Sequence, residues 1–470
     1  MKREKVYMGY VYKLRNTRSL LSDFHELENQ EIFFASPEEL NDPHEGFINL
    51  YWQGDSVVWK NLLRYYIFNL TVLLQTAHSN NEIELSDKAI HLNLHINNSI
   101  DTNVRESAYN VLESDFLGTT PVNEIIKYLS DNNVKLFSDE LFYLLGCLHL
   151  LVLKNICNAI KGTSDYVFFR IIENANFDFN ASDFINIYES GKLSEAAASN
   201  KNSQLVTHFK PLDENENITL RKNYHYILKE YSLGFINRLR ELTYNDVYIS
   251  CFMREFPNTD MWSYYGDSHK GCCLIFRTTK PEYLDEYTRN PDDDVLKITR
   301  FGGAKEIDMK IEPVIYNNEY PEVNFFDSVG EIRRDIYQEC WLSDGNLQSY
   351  YFSNRYKNID EWRRTYYSNM HSLFFRKTCH WSKENELRSI ITTFSDETAV
   401  EYRKVTYRFD SLSGIVFGMK TSHADKCNIV RVIRDKCKEN NVDDFKIYQA
   451  FYNHHENKMD KVELENIPYK

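Results

Sequence analysis

The sequence predicts an α+β protein, a mixed or antiparallel sheet core interrupted by a large helical insertion. Three observations predict it. Short apolar runs of strand length occur near the start of the chain and again from Asp246 onward. Between them, residues 56–242 repeat apolar positions at helical spacing and contain few glycines or prolines. Ionisable and aromatic residues crowd beside the short strands in three places far apart in sequence. The division expected is a core of residues 1–55 and 243–470 with an insertion over 56–242.

Taken in order, residues 7–15 and 31–36 read as strands. Thr17–Asn29 between them reads as a helix, with Leu20, Leu21, Phe24 and Leu27 on one face. Glu39–Pro43 is a turn, because Pro43 favours an extended Asp42. Helical spacing recurs over Val57–Leu74, Val122–Leu129, Asp139–Ile160 and Tyr224–Leu242. Asn-rich stretches, Ser79-Asn80-Asn81 and Ser199-Asn200-Lys201-Asn202, read as connectors. Strands follow at Val247–Phe252, Gly271–Phe276, Val314–Tyr316, Leu387–Phe394, Gly414–Gly418 and Phe445–Phe451, with helices at the end of 335–375 and over Ser422–Lys438. Pro291-Asp292-Asp293-Asp294 is expected to be a solvated acidic turn.

The formal charge of −14 disfavours broad contact with a nucleic-acid backbone, which calls for a basic excess. Tyr and Phe number 33 and 29, enough for stacking pockets as well as an aromatic core. Nine scattered cysteines without a C-x-x-C read as reduced thiols, with no zinc site. Met1-Lys2-Arg3-Glu4-Lys5 is charged and no apolar run follows, so no signal peptide is expected. The longest apolar run, Leu141–Leu153, is too short for a membrane span. A cytoplasmic protein without membrane contact is the reading.

Three motif blocks carry the chemistry. The first is Tyr12-Lys13-Leu14-Arg15 with Leu40-Asn41-Asp42-Pro43-His44-Glu45. The second is Ser250-Cys251-Phe252 with Met261-Trp262-Ser263-Tyr264-Tyr265-Gly266 and His269-Lys270-Gly271. The third is Trp381-Ser382-Lys383-Glu384-Asn385-Glu386-Leu387-Arg388. Glu386 stands at the mouth of a strand, and two carboxylates at i and i+2 share a face if extended. Such a pair can divide electrostatic stabilisation from base work.

Together the motifs resemble a bacterial family known only as a domain of unknown function. Its pattern has an opening Tyr-Lys-Tyr-Arg, a Phe-Asn-Asp-Pro-x-Glu turn, Met-Trp-x-x-Tyr-Gly…His-x-Gly and Trp-x-x-Glu-x-Glu-x-Arg. This chain departs from it at Leu14, Leu40 and His44. The strand-entry acidic pair also resembles the acidic motif of ADP-ribosyltransferases. That resemblance implies an ADP-ribosyltransferase-like core with NAD as substrate. Glu386 would stabilise the oxocarbenium-like ribose as nicotinamide leaves, and Glu384 would activate an acceptor. Arg15 would grip NAD, with Lys13 as the alternative. Tyr265, Tyr264 or Ser250 would support the nicotinamide, Tyr265 being at the motif position. Asn41, Asp42, Glu45, Trp262, His269, Lys270 and Arg388 complete the expected cofactor-binding set, with no metal. The acceptor would be a protein, a nucleic acid or water, and a toxin or antiviral role fits by analogy.

Two rivals stay open. In a Mg²⁺-dependent nuclease or phosphoesterase, Asp42, Glu45, Glu384 and Glu386 would hold the ion, with Lys270 or Lys383 near the phosphate. In a non-enzymatic sensor, the motifs would hold the fold and the helical insertion would meet a protein partner.

Overall fold

The computed structural model describes residues 7–79, 82–94, 116–160, 180–203, 217–244, 246–281, 294–300, 303, 305–392 and 400–464. Connector residues 80–81 and acidic-turn residues 291–293 lie outside them. The protein is α+β with a largely antiparallel main sheet. Two compact units divide it: residues 1–47, 245–320 and 370–470 form the first, and 48–244 with 321–369 the second.

Among the described residues, the first unit is built on one eleven-stranded sheet. Six of its strands form a closed set: β1 (Tyr7–Arg15), β2 (Val247–Met253), β3 (Cys272–Thr279), β4 (Asp294–Arg300), β5 (Ile307–Pro313) and β6 (Glu386–Thr392). Their order is β3-β1-β2-β6-β5-β4, and Thr279 pairs with Val295 to join β3 back to β4. The six strands therefore close into a barrel, which removes their free edges. Val11, Phe252, Phe276, Leu296, Ile311 and Leu387 belong to one buried cluster on the inner face. Side chains alternate along a strand. Cys272 accordingly joins that cluster, whereas Cys273 joins a second one with Leu14, Trp262 and Val416.

The strand Leu412–Phe417 extends the sheet from β3 and pairs in parallel with Lys446–Asn453, the connection running through the helix His423–Asn440. The predicted helix over Thr17–Asn29 is present in two pieces, a π-helical turn at Ser19–Asp23 and a short α-helix, Glu26–Asn29. His25 takes a left-handed backbone (φ 52°) and separates them. The hairpin β4–β5 was not foreseen. Val295, Leu296 and Ile298 do not alternate cleanly, which hides the strand period.

The second unit is helical. Over 56–242 the one strand among the described residues is Leu136–Phe137. It pairs with Asn49–Trp52, whose other neighbour is Glu322–Asn324. Residues 321–369 thus join this unit, although the sequence reading gave them to the core. Aromatic packing explains the reassignment: Phe325 stacks on Trp52, Phe326 meets Trp59 edge-on, and Trp341 stacks on Tyr65 at 4.6 Å.

The helix Ser138–Ile160 contains a stretch, Ser138–Cys157, long and apolar enough to cross a membrane, longer than the run read from sequence. Here it is a core helix. Leu141, Leu144, Leu148, Val152 and Ile156 are buried. Buried His149 is satisfied by the Tyr66 hydroxyl at 2.7 Å and the Ile227 carbonyl at 2.8 Å.

Candidate functional site

The site originates in a split of the first unit's sheet. β1 and β2 pair at Tyr12↔Met253 alone, and Ala35 pairs with Ile249 further along the same edge of β2. Between these contacts the strands part and leave a cleft of about 320 Å³. Lys13, Arg15, Asn41, Glu45, Ser250, Tyr264, Tyr265, Lys377, Glu384 and Glu386 are among its lining residues. By alternation, Lys13 and Arg15 share the inward face of Val11, and Ser250 that of Phe252. Glu386 and Arg388 take the face opposite Leu387. The split lets groups from both faces reach one cleft.

At the inward end, the Lys13 ammonium donates to the Ser250 hydroxyl at 2.7 Å and the Cys251 carbonyl at 3.1 Å. It also lies 4.8 Å from the centre of the Phe252 ring. Among the described residues no carboxylate pairs with it. Burial, reinforced by the Arg15 charge, lowers its pKa to about 8. Arg15 is itself clasped by Glu26 through two hydrogen bonds. Gly271 lets this strand end approach, since a Cβ there would sit 2.4 Å from the Arg15 carbonyl oxygen.

At the other end is a buried ionic hub. Lys377 donates to Glu384 at 2.7 Å and Glu386 at 3.1 Å, and lies 3.7 Å from Glu45. Arg388, wholly buried, clamps Glu45 with two N–H groups and donates Nε–H to Glu386 at 2.7 Å. The Tyr265 hydroxyl donates to Glu384 at 2.7 Å. Trp381 gives its ring face to the Lys377 ammonium at 4.6 Å, which accounts for that motif position.

Three carboxylates thus meet two cations. Burial would raise the Glu386 pKa, but Arg388 and Lys377 outweigh it and hold the group at about 2. For Glu384 and Glu45 burial wins and both pKa values rise. Burial opposes the charge on Lys377, yet Glu386, Tyr265 and Glu384 push its pKa well above the ordinary lysine value.

The predicted residues divide by position. Glu386, Glu384, Tyr265, Arg15, Lys13, Asn41 and Glu45 line the cleft. Arg388 stands behind it, fully engaged with the carboxylates. Asp42, also absent from the lining, is 4% exposed and accepts the His44 backbone N–H at 3.0 Å, which makes it a turn residue. Trp262 is core: it is fully buried and stacks on His269 at an interplanar angle of 9°. His269 bonds Ser263 away from the cleft lining, and Lys270 is exposed on the same loop. That loop, Asp267–His269, runs through three successive left-handed residues (φ 50°, 54° and 70°).

Lys377 was missed. Its strand, Arg376–Lys377, is two residues long and shows no period, so its one sequence signal was a cation four residues before Trp381. Among the described residues no group of three His, Cys, Asp or Glu is placed to hold a metal ion. No protein-family model matches the chain, and no curated protein or solved structure matches it.

Proposed function

We propose that the cleft binds NAD and cleaves its nicotinamide–ribose bond, passing ADP-ribose to a macromolecule or to water. The observation that carries this reading is the charge balance of the hub. Three carboxylates against two cations leave a net negative charge beside an open cleft, where a developing oxocarbenium-like ribose would be stabilised. Glu386 stays ionised through the working pH range, as that role requires. Glu384, with its raised pKa and its bond from Tyr265, suits activation of an acceptor. Arg15, lining the other end, supplies positive charge for the pyrophosphate.

A cleft of about 320 Å³ lies at the small end of ligand sites, which span roughly 300–1,000 Å³. It suits the nicotinamide riboside end of the dinucleotide and the adjoining pyrophosphate, with the adenosine outside. The closed barrel is not the core that a likeness to ADP-ribosyltransferases implies. The reading therefore rests on side chains and on the motif resemblance. The nuclease alternative is disfavoured because Glu45, Glu384 and Glu386 already pair with Lys377 and Arg388.

The test is nicotinamide release from NAD in the presence of a chelator. Wild type should release it, and Glu386→Gln should lose on the order of 10²–10³ in rate. Circular dichroism must show both proteins folded. Equal release by the two would reject the assignment. No release by wild type, together with Mg²⁺-dependent cleavage of nucleic acid, would favour the nuclease.

A further inference from the structure

The Lys13–Ser250 pair carries chemistry that NAD cleavage does not use. Both groups are buried, Lys13 at 9% exposure and Ser250 at 2%, yet both line the cleft. The Lys13 nitrogen lies 2.7 Å from the Ser250 oxygen, hydrogen-bond distance for proton transfer. A buried lysine usually finds a carboxylate. This one has a hydroxyl, a carbonyl and an aromatic face within reach; the Arg15 charge beside it works against its proton, and Cys251, Glu26 and Glu386 work for it only at a distance.

We infer that Lys13 and Ser250 form a base–nucleophile dyad that transfers acyl groups from a small ester or amide bound between Phe33 and Phe252. Neutral Lys13 takes the Ser250 proton as the oxygen attacks the carbonyl carbon. The resulting ammonium returns that proton to the departing alcohol or amine as its bond to carbon breaks. Water then attacks the acyl-serine, Lys13 again holding the proton until the serine oxygen leaves and recovers it, and a carboxylic acid departs. No oxidant, reductant or metal enters this balance. Two properties of the site favour the step. The Lys13 pKa near 8 leaves a usable neutral fraction at physiological pH. The aromatic walls provide an apolar seat for a short acyl chain. The inference does not depend on NAD cleavage, whose carboxylates lie on the other face of the sheet.

The experiment treats the full-length protein with a fluorophosphonate probe and maps the adduct by peptide mass spectrometry. We expect one adduct, on Ser250, formed at a rate that climbs as pH rises through about 8. Ser250→Ala should not label. Lys13→Arg keeps a cation but no usable base and should label at least roughly a hundredfold more slowly. Three results would overturn the dyad: a folded wild type that does not label beside a reactive serine-hydrolase control, an adduct elsewhere, or Lys13→Arg labelling as fast as wild type. The wild-type adduct map decides without any variant that must fold.

Discussion

Two buried lysines line the same cleft, and their surroundings drive them in opposite directions. Lys377 is ringed by Glu45, Glu384 and Glu386 and is locked as a cation. Lys13 faces a hydroxyl, a carbonyl and a phenyl ring, and its pKa falls to about 8. Burial costs both ions. The partners decide whether that cost is offset, so residue type and depth alone do not predict what a lysine does. One end of the cleft holds fixed charge, and the other holds a group able to give up its proton.

The largest effect should come from removing the fixed cation. Lys377→Met takes the cation from Glu384 and leaves Glu45 and Glu386 to Arg388, and breaking such a network typically costs about 3–5 kcal/mol. Urea unfolding should show the loss, and a change below about 1 kcal/mol would mean that the hub is not buried as described. Glu386→Gln comes next. Arg388 and Lys377 lose a shared anion there, so stability should fall along with activity.

Acid should reveal the same pairing. The folded Glu386 pKa of about 2 lies below its ordinary 4.5, so the stabilisation is complete above 4.5 and disappears as pH falls towards 2. Glu45 and Glu384, raised in the fold, act with the opposite sign. The difference between wild type and Glu386→Gln across this window isolates Glu386. A flat difference would contradict the pairing.

Lys13→Met should behave unlike Lys377→Met. Folding lowers the Lys13 pKa from 10.5 to about 8, so between those values the unfolded chain binds more protons and wild type gains stability as pH rises. Lys13→Met should lack that gain and should be little less stable than wild type near neutral pH. A loss as large as that of Lys377→Met would erase the contrast. Tyr265→Phe should fall between the two lysine variants in urea unfolding, at about 1–3 kcal/mol for one hydrogen bond to a carboxylate.

These contrasts also mark what the sequence could convey. The Glu384-x-Glu386 pair at a strand mouth, Tyr265, Arg15 and Lys13 are all legible, because strand and motif spacing fixes where such residues sit. The ionic hub was only half legible. Arg388 was read as a ligand for NAD, whereas its fork is taken up by Glu45 and Glu386. Which of several acids an arginine clamps depends on strand register, and Glu45 and Arg388 are 343 residues apart. Trp262 and His269 were read as cofactor-binding residues but pack on one another, since an aromatic at helical spacing fits a core equally well. Residues 321–369 left the predicted core because aromatic stacking does not announce its partner in sequence.

The contrast between the lysines is tested most directly by their own titration. With ¹³C-labelled lysine and single-site variants for assignment, the Cε shift of each can be followed by NMR from neutral to alkaline pH. The Lys13 resonance should move with a midpoint near 8, while that of Lys377 stays at its ammonium position until the protein unfolds. A Lys13 midpoint at or above the ordinary 10.5, or a Lys377 that loses its proton alongside Lys13, would contradict the account of the cleft.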